Sequence, residues 1–418
     1  MRAQRHLTAA AAVLLALGTG AGSAVVGVVT APPAYAAERS VPCRSVATVD
    51  DAGVKSVDLS YPDPYDEMRI ADAQRAVGRT PGSGVTVAVL DSGIWPGVAA
   101  HVLRPSFKPS QTPGKYYHGT TVAGLIAGKA TGGAPGGIAP GATLIDLPVS
   151  TAPQTGDEEP AVSRPSVEAA LHYLNATRSK YSHLVVNLSV EFDTGSPVLR
   201  REIRRLVRSG AIVVAAAGNR TESEETTSPT PSAGPADARD QVFPAAYPGV
   251  VAVGATLTEG MSGDVSQYVV PNSATDVAAP PVGAHSYTLT GRPCIVDEPT
   301  TSWSTAEVSG VLALLASAYP KASAGEIVDR LLRTASGRED VPGRYTGAGV
   351  VQAYDAVTRP LDDGRTAAPA PVARANLGRP ERDVLRGTRH AALWWGLVGG
   401  GALVLGLVLR PLLSRRRR

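Results

Sequence analysis

Short apolar runs alternate with helical segments along the middle of the chain, and this alternation constrains the fold more than any other feature. Each run is rich in Val, Ile, Leu and Ala, as expected for strands of a parallel sheet that is buried on both faces. Strands that alternate with helices predict right-handed crossovers, and therefore an α/β fold with a mostly parallel central sheet. The predicted strands are residues 85–90, 144–149, 184–188, 211–216 and 250–253.

The segments between these runs carry helix start and stop signals. Ser196 and Pro197 are typical of an N-cap and a first-turn residue, apolar residues repeat at helical spacing after them, and Gly210 closes the segment. Residues 165–179 show the same periodicity. Residues 221–240 are rich in Ser, Thr, Pro and acids, and they predict an exposed insertion loop.

The amino-terminal residues have the layout of a secretory signal peptide. Arg2 and Arg5 precede an apolar run over residues 7–29, and a pattern of small residues ends at Ala36. A buried helix is the alternative, but the basic flank, apolar run and cleavage pattern occur in the order that secretion requires. We therefore predict cleavage after Ala36.

The carboxyl-terminal residues predict a membrane anchor. Residues 391–409 contain no charged side chain and are about as long as the apolar span that a bilayer requires. Trp394 and Trp395 lie where an interfacial aromatic belt would be, and the arginines at 415–418 follow the span. The positive-inside rule places that basic tail in the cytoplasm. The body of the protein is then predicted to lie outside the membrane.

The body between the two ends is large enough for one sizeable domain. A chain of 418 residues accommodates a domain of about 250–300 residues plus extensions. The segment before the first strand is short for an independently folded prodomain. The predicted organisation is a signal peptide (1–36), an N-terminal extension (37–83), the main domain (84–358), a linker (359–390), a transmembrane helix (391–413) and a cytoplasmic tail (414–418).

Charge and cysteine content exclude several classes of function. The net charge is +3, and without the terminal arginines the body is near neutral, which argues against a nucleic-acid-binding protein with a broad basic face. Two cysteines exclude a cysteine-based zinc cluster, and no acidic cluster predicts a calcium site, so we expect no cofactor or metal. Outside the cytoplasm, Cys43 and Cys294 are predicted to form a disulfide, two free thiols being the alternative.

Two motifs place an acid and a histidine at the edges of predicted elements. Asp91 ends the first strand in the sequence Asp-Ser-Gly, and the carboxyl end of a buried parallel strand is where α/β sheets carry functional groups. His118 begins the string HGTTVAG, whose small residues permit a helix to pack closely on the sheet. Alone, the first motif is equally typical of a turn.

Two further motifs supply an amide and a hydroxyl. Asn219 ends a buried strand in the sequence AAAGN, where its side-chain amide can donate to a developing oxyanion. Ser302 lies in Thr-Thr-Ser-Trp at the start of an apolar helix, where a backbone N–H can serve as a second donor. Taken singly, these two motifs are more typical of a turn and of an N-cap.

Together, the ordered motifs resemble the subtilisin-like serine proteases, the peptidase S8 family, from about residue 84 to residue 356. The resemblance implies a three-layer α/β peptidase domain that cleaves a protein or peptide substrate through an acyl-enzyme. It also implies that Asp91 orients His118, that His118 takes the proton of Ser302, and that Asn219 holds the oxyanion. Segments 148–165 and 188–193 are expected to form walls of the cleft.

The chain is most similar to the mycosins, the membrane-anchored subtilisin-like proteases of type VII secretion systems. The similarity lies in the signal peptide, the short extension, the single C-terminal helix with its basic tail, and the segments 68–74 and 187–191; ordinary subtilisins carry a glycine where this chain has Glu191. It implies a single-pass membrane protein with an extracellular peptidase domain, associated with a type VII secretion membrane complex.

The sequence around Ser302 departs from the family pattern G-T-S-x-A-A-P. This chain has Thr300, Ser304, Thr305 and Ala306 at the altered positions, which adds a β-branched side chain and two hydroxyls near the nucleophile. These differences support an alternative function, a catalytically impaired scaffold that stabilises a membrane secretion complex, although all four chemical groups remain at their motif positions. A third alternative is an extracellular α/β binding or esterase-like protein, but the sequence has no Gly-x-Ser-x-Gly motif with the order Ser, Asp, His.

Overall fold

The computed structural model describes most of the chain between residues 39 and 361. The described residues up to Arg359 belong to one compact unit. The predicted signal peptide, transmembrane helix and tail lie outside the described residues, as do most of the linker and the first part of the predicted insertion loop. No helix in the described part is both long and apolar enough to cross a bilayer. The described ranges are 39–46, 57–58, 61–78, 80–110, 116–130, 136–150, 161–220, 236–337 and 343–361.

A seven-stranded parallel sheet forms the centre of the molecule, in the order β4-β5-β3-β6-β7-β8-β9. Two small antiparallel sheets, β1-β2 and β10-β11, flank it. The strands are β1 (Arg39–Ser40), β2 (Val57–Asp58), β3 (Val85–Asp91), β4 (His101–Leu103), β5 (Thr143–Pro148), β6 (His183–Leu188), β7 (Ile212–Ala216), β8 (Val250–Ala255), β9 (Val277–Ala279), β10 (His285–Tyr287) and β11 (Pro293–Ile295). The strands predicted from the sequence agree with β3 and β5–β8 to within two residues at each end.

Helices cover both faces of the sheet, so the predicted mostly parallel α/β sheet is confirmed. They are α1 (Pro64–Glu67), α2 (Ile70–Val77), α3 (His118–Ala127), α4 (Arg164–Thr177), α5 (Pro197–Arg208), α6 (Thr301–Ala318), α7 (Ala324–Thr334) and α8 (Ala353–Thr358). Short 3₁₀ turns occupy Cys43–Val46, Arg178–Lys180 and Val265–Gln267. Helices α3 and α6 pack on one face of the sheet, and α4 and α5 on the other.

The apolar runs are continuous because successive residues face opposite helical layers. Val85, Val87 and Val89 of β3 pack in the core beneath α3 and α6, whereas Ala88 and Leu90 pack in the core beneath α4 and α5. All five are almost fully buried. Burying an aliphatic side chain contributes about 1.5–3 kcal/mol, so both faces stabilise the strand.

Local capping explains where the helices of the second layer begin. The Ser163 side chain accepts a hydrogen bond from the Ser166 N–H ahead of α4, and Ser196 accepts one from the Leu199 N–H ahead of α5. Each helix has a proline in its first turn, where no N–H donor is needed. Gly210 has a φ of 79°, the left-handed conformation that glycine adopts after a helix.

The N-terminal extension is built into the main domain. Met68 and Ala73 are fully buried, and the Gln74 side chain donates to the carbonyl oxygens of Gly137 and Ile138 at 3.0 Å. The predicted disulfide between Cys43 and Cys294 is present. It fastens the extension to β11, where the Ile295 N–H also donates to the Val41 carbonyl at 2.9 Å.

Candidate active site

A buried carboxylate at the end of β3 is hydrogen-bonded to the first residue of α3. Asp91 is 3% exposed, and Nδ1 of His118 lies 2.8 Å from its Oδ1 and 2.9 Å from its Oδ2. Because a carboxylate only accepts hydrogen bonds, Nδ1 carries the hydrogen and Nε2 is left to exchange protons. The His118 side chain is 21% exposed, so the ring borders the solvent.

Gly119 explains why α3 approaches the end of β3 so closely. A Cβ at this position would lie 2.5 Å from the carbonyl oxygen of Gly93 and 3.1 Å from Oδ1 of Asp91. The Gly119 N–H donates to the Ser92 hydroxyl at 3.0 Å, and the Ser92 hydroxyl donates to the Tyr116 carbonyl. The string that begins at His118 therefore needs its glycine to bring the imidazole to the carboxylate.

Ser302 is the second residue of α6 and faces the segment that follows β6. Its hydroxyl donates to the carbonyl oxygen of Ser189 at 3.3 Å, and the Ser189 hydroxyl lies 2.8 Å from the carbonyl oxygen of Ser302. The next residue, Trp303, packs against His118 with the ring centroids 4.4 Å apart. The residue that follows Ser302 therefore lies directly beside the His118 ring.

The departures from the family pattern around Ser302 fit the structure. Thr300 has φ −95° and ψ 150°, an extended conformation that a β-branched residue adopts without strain. The Ser304 hydroxyl donates to the Ala279 carbonyl at 2.8 Å, and the Thr305 hydroxyl donates to the Thr301 carbonyl at 2.7 Å. Both added hydroxyls thus have the partner that their burial requires.

The side-chain amide of Asn219 is held in one orientation by the residue before the serine. Its Oδ1 accepts hydrogen bonds from the Thr301 N–H at 2.8 Å and from the Thr301 hydroxyl at 3.1 Å. Since a backbone N–H can only donate, the oxygen of the amide must face Thr301. The Nδ2 group, the donor of the amide, points to the opposite side.

Glu191 brings a carboxylate to the backbone of Asn219. Its Oε2 accepts a hydrogen bond from the backbone N–H of Asn219 at 3.2 Å. The residue as a whole is exposed at the surface, but the surrounding protein crowds its carboxyl group and partly buries it. This crowding raises the pKa of Glu191 to about 7, against a smaller opposing effect of the Asn219 N–H.

A second buried acid lies one strand away from Asp91. Asp146 of β5 is 6% exposed, accepts a hydrogen bond from the Ile94 N–H at 3.2 Å and pairs with Arg104 at 3.2 Å. Burial raises its pKa to about 6, although Arg104 and the Ile94 N–H oppose the shift. Asp146 thus anchors the loop that follows Asp91.

Sequence reasoning found part of this site. Segment 188–193, expected to form a cleft wall, contains Ser189 and Glu191, but their bonds to the site were not foreseen. Trp303 and Asp146 were missed, although an acid inside the apolar run LIDLP was a signal. Within the described residues, no three His, Cys, Asp or Glu side chains are grouped so as to hold a metal ion.

An acid, a histidine and a serine in this chain order, on a parallel α/β sheet, are the arrangement of one class of serine proteases. The sequence model of that class, described as "Peptidase_S8: Subtilase family", matches residues 82–356. The chain belongs to the subtilase family.

Individual relatives show two extents of similarity. Subtilisin E of Bacillus subtilis (strain 168) is 33% identical over 280 residues, which cover 65% of this chain and 66% of that protein. Mycosin-3 of Mycobacterium tuberculosis (strain ATCC 25618 / H37Rv) is 27% identical over 448 residues, covering 95% of this chain and 93% of the relative. The similarity to the mycosin therefore extends well beyond the peptidase domain.

A solved structure agrees with this relationship. The MycP3 protease from the type VII (ESX-3) secretion system has a TM-score of 0.56 and 27% sequence identity to this chain, and the match covers 72% of this chain and 91% of the other.

Proposed function

We propose that the protein is a membrane-anchored serine endopeptidase of the mycosin type that cleaves a protein or peptide substrate through an acyl-enzyme. The observation that carries this proposal is the paired Asp91 and His118, with Ser302 at the start of α6 and the neighbouring Trp303 packed against the His118 ring. Membership of the subtilase family supports the same chemistry.

The reaction begins at the Ser302 hydroxyl. For the attack, rotation about χ1 has to release this hydroxyl from the Ser189 carbonyl and direct its hydrogen to Nε2 of His118. His118 takes the proton as Oγ attacks the substrate carbonyl, and Asp91 stabilises the imidazolium. His118 then gives the proton to the leaving amine. Water hydrolyses the acyl-enzyme by the same steps in reverse order.

The negative charge that develops on the substrate carbonyl oxygen has two donors in this mechanism. Asn219 presents Nδ2, because Thr301 holds the oxygen of its amide. Ser302 presents its backbone N–H, since first-turn N–H groups of a helix have no carbonyl partner within the helix. Donors that are oriented before the reaction stabilise an oxyanion most effectively, and the hydrogen bonds from Thr301 to Asn219 support this role.

Labelling with a fluorophosphonate probe tests this function. The purified protein should react covalently at Ser302, and Ser302→Ala and His118→Ala should each abolish the reaction. Ser304→Ala is the matched control. It removes a hydroxyl from the same helical turn, but that hydroxyl is buried and hydrogen-bonded to the Ala279 carbonyl. If the wild-type protein shows neither labelling nor peptide cleavage, the proposed protease function is wrong.

A catalytically silent scaffold is the second candidate, and the bond from the Ser302 hydroxyl to Ser189 favours it, because a serine held there is not poised for attack. Secretion would then survive Ser302→Ala and fail on deletion of the domain. An active protease predicts that Ser302→Ala leaves its substrate uncleaved.

The location of the protein is part of the proposal. The predicted signal peptide and anchor, together with an alignment to Mycosin-3 that covers 95% of this chain, support an extracellular domain on a single membrane helix. The relation to MycP3 supports association with a type VII secretion membrane complex. Protease added to intact, wall-stripped cells should digest the domain, and complete protection would contradict this topology.

A further inference from the structure

Glu191 lies against the backbone of the residue that supplies the oxyanion donor. Its carboxylate accepts the N–H of Asn219 at 3.2 Å, while the side chain of Asn219 is fixed by Thr301. The carbonyl oxygen of the scissile bond must sit within hydrogen-bond reach of Nδ2 of Asn219. The substrate residue that owns this carbonyl therefore lies close to the Glu191 carboxylate.

Two arginines next to residues that surround Glu191 are engaged with other groups: Arg220 follows Asn219 in the chain, and Arg164 contacts Phe192. Arg220 donates through Nε to the Ser266 carbonyl at 2.5 Å. Arg164 lies over the Phe192 ring, 4.6 Å from its centroid, and donates to the Thr194 hydroxyl at 2.9 Å. The pKa of Glu191 is set by burial and by the Asn219 N–H, and no cation among the residues that the structure describes contributes to it.

An anionic carboxylate crowded by protein and without a cation gains from a positively charged ligand. It would also disfavour an oxyanion forming nearby, and a cation on the substrate offsets that repulsion. Both effects act in the same direction on substrate choice.

We propose that Glu191 makes the cleft select peptides in which the residue at the scissile carbonyl is Lys or Arg. This inference rests on the proposed cleft but not on its catalytic competence, because selection at the level of binding needs no bond cleavage.

The ionisation of Glu191 makes the preference for a basic residue depend on pH. With a pKa of about 7, the carboxyl is mostly neutral at pH 6 and mostly anionic at pH 8. The preference for a basic residue should therefore grow between these two pH values.

Peptide binding to the full-length Ser302→Ala protein in detergent micelles separates this inference from catalysis. Two probes are used, acetyl-Ala-Ala-Ala-Lys-Ala-Ala-amide and the same peptide with norleucine in place of lysine, and calorimetry or competition measures each Kd. The lysine peptide should bind at least about tenfold more tightly at pH 8, and the ratio should fall at pH 6.

Two variants made in the Ser302→Ala background decide the role of Glu191. Glu191→Gln should bring the ratio of the two Kd values close to one while preserving the bond from Asn219. Asp193→Asn is the matched control, because it removes the same charge two residues further along the exposed segment.

Each outcome bears on the inference. A ratio that Glu191→Gln leaves unchanged, an equal effect of Asp193→Asn, or no binding of the lysine peptide at millimolar concentration would overturn it. If discrimination is present but the wild type shows no fluorophosphonate labelling, the protease function fails and the selection by Glu191 stands.

Discussion

The indole of Trp303 packs against the imidazole of His118, with ring centroids 4.4 Å apart and the ring planes inclined by 33°. Trp303 is 5% exposed and also contacts Tyr117 at a centroid distance of 6.1 Å. The residue that follows the proposed nucleophile thus supports the proposed base. An aromatic face also favours a cationic partner, and in the proposed mechanism His118 becomes cationic when it takes the serine proton.

Replacing Trp303 should therefore slow the reaction through His118. An aromatic pair contributes about 0.5–1.5 kcal/mol, so Trp303→Leu should lower kcat/KM by about two- to tenfold, whereas Trp303→Phe should retain most of the activity. Peptide-cleavage kinetics measure kcat/KM, and the rate of fluorophosphonate labelling gives a separate measure of the reactivity of Ser302. Equal rates for the Leu and Phe variants would show that the indole only fills space.

One substitution can separate the two hydrogen-bonding roles of Asn219, which are the bond that its Oδ1 accepts from Thr301 and the proposed donation by its Nδ2 to the oxyanion. Asn219→Asp keeps an oxygen for the Thr301 N–H but removes the Nδ2 donor, so the fold should remain while turnover falls by on the order of 10²–10³ or more, the loss typical of a removed oxyanion donor. Cleavage kinetics with a peptide substrate measure the loss of turnover, and thermal unfolding measures whether the fold is retained. Full turnover in the Asp variant would remove Asn219 from the mechanism.

Glu307 predicts an unusual dependence of stability on pH. This residue of α6 is fully buried, and neither carboxyl oxygen has a hydrogen-bond partner among the residues that the structure describes. Burial, followed by the charges of Asp63 and Glu67, raises the pKa of Glu307 well above its ordinary value. The folded state therefore binds this proton more tightly than the unfolded state does. Stability is present in full at low pH and is lost as the pH rises above the unfolded pKa, toward the raised one.

Glu307→Leu should accordingly raise the free energy of unfolding at pH 8 by about 1–3 kcal/mol and flatten its decline between pH 5 and pH 8. Glu202→Leu is the matched control. Glu202 is 2% exposed but accepts bonds from Asn175, Arg201 and Arg205, so its replacement should destabilise the protein. Chemical unfolding at several pH values measures both, and a destabilised Glu307→Leu would contradict the interpretation.

The bond between Cys43 and Cys294 should contribute strongly to stability. It closes a sequence separation of 251 residues, and removing a native disulfide typically costs about 2–5 kcal/mol. Replacing both cysteines by serine should lower the unfolding temperature, and reductant should bring the wild type to the same value. Two results would contradict the bond. Reductant would leave the unfolding temperature of the wild type unchanged, and both cysteines would be alkylated without prior reduction.

The buried strands and capped helices could be predicted from the sequence because their signals are local. The run before Asp91 and the Ser196-Pro197 pair each specify an element through residues that are adjacent in the chain. The edge strands β4 and β9 were not predicted, since each has three residues and depends on pairing with a distant strand. Short pairings of this kind carry almost no local pattern.

The candidate site divides in the same way. The positions of Asp91 and His118 follow from motifs, whereas the contact of Glu191 with Asn219 joins residues separated by 28 positions and has no sequence periodicity. Glu307 was overlooked because an acid in an apolar helix looks like any exposed position until its surroundings are known.

The fastening of the N-terminal extension determines what a cut in it can do. Met68 and Ala73 are fully buried in the domain, and Cys43 remains covalently joined to Cys294. Activation of a zymogen releases an inhibitory fragment. Cleavage of this chain between Cys43 and β3 would consequently release none. The severed piece would stay attached and would be seen only after reduction and denaturation.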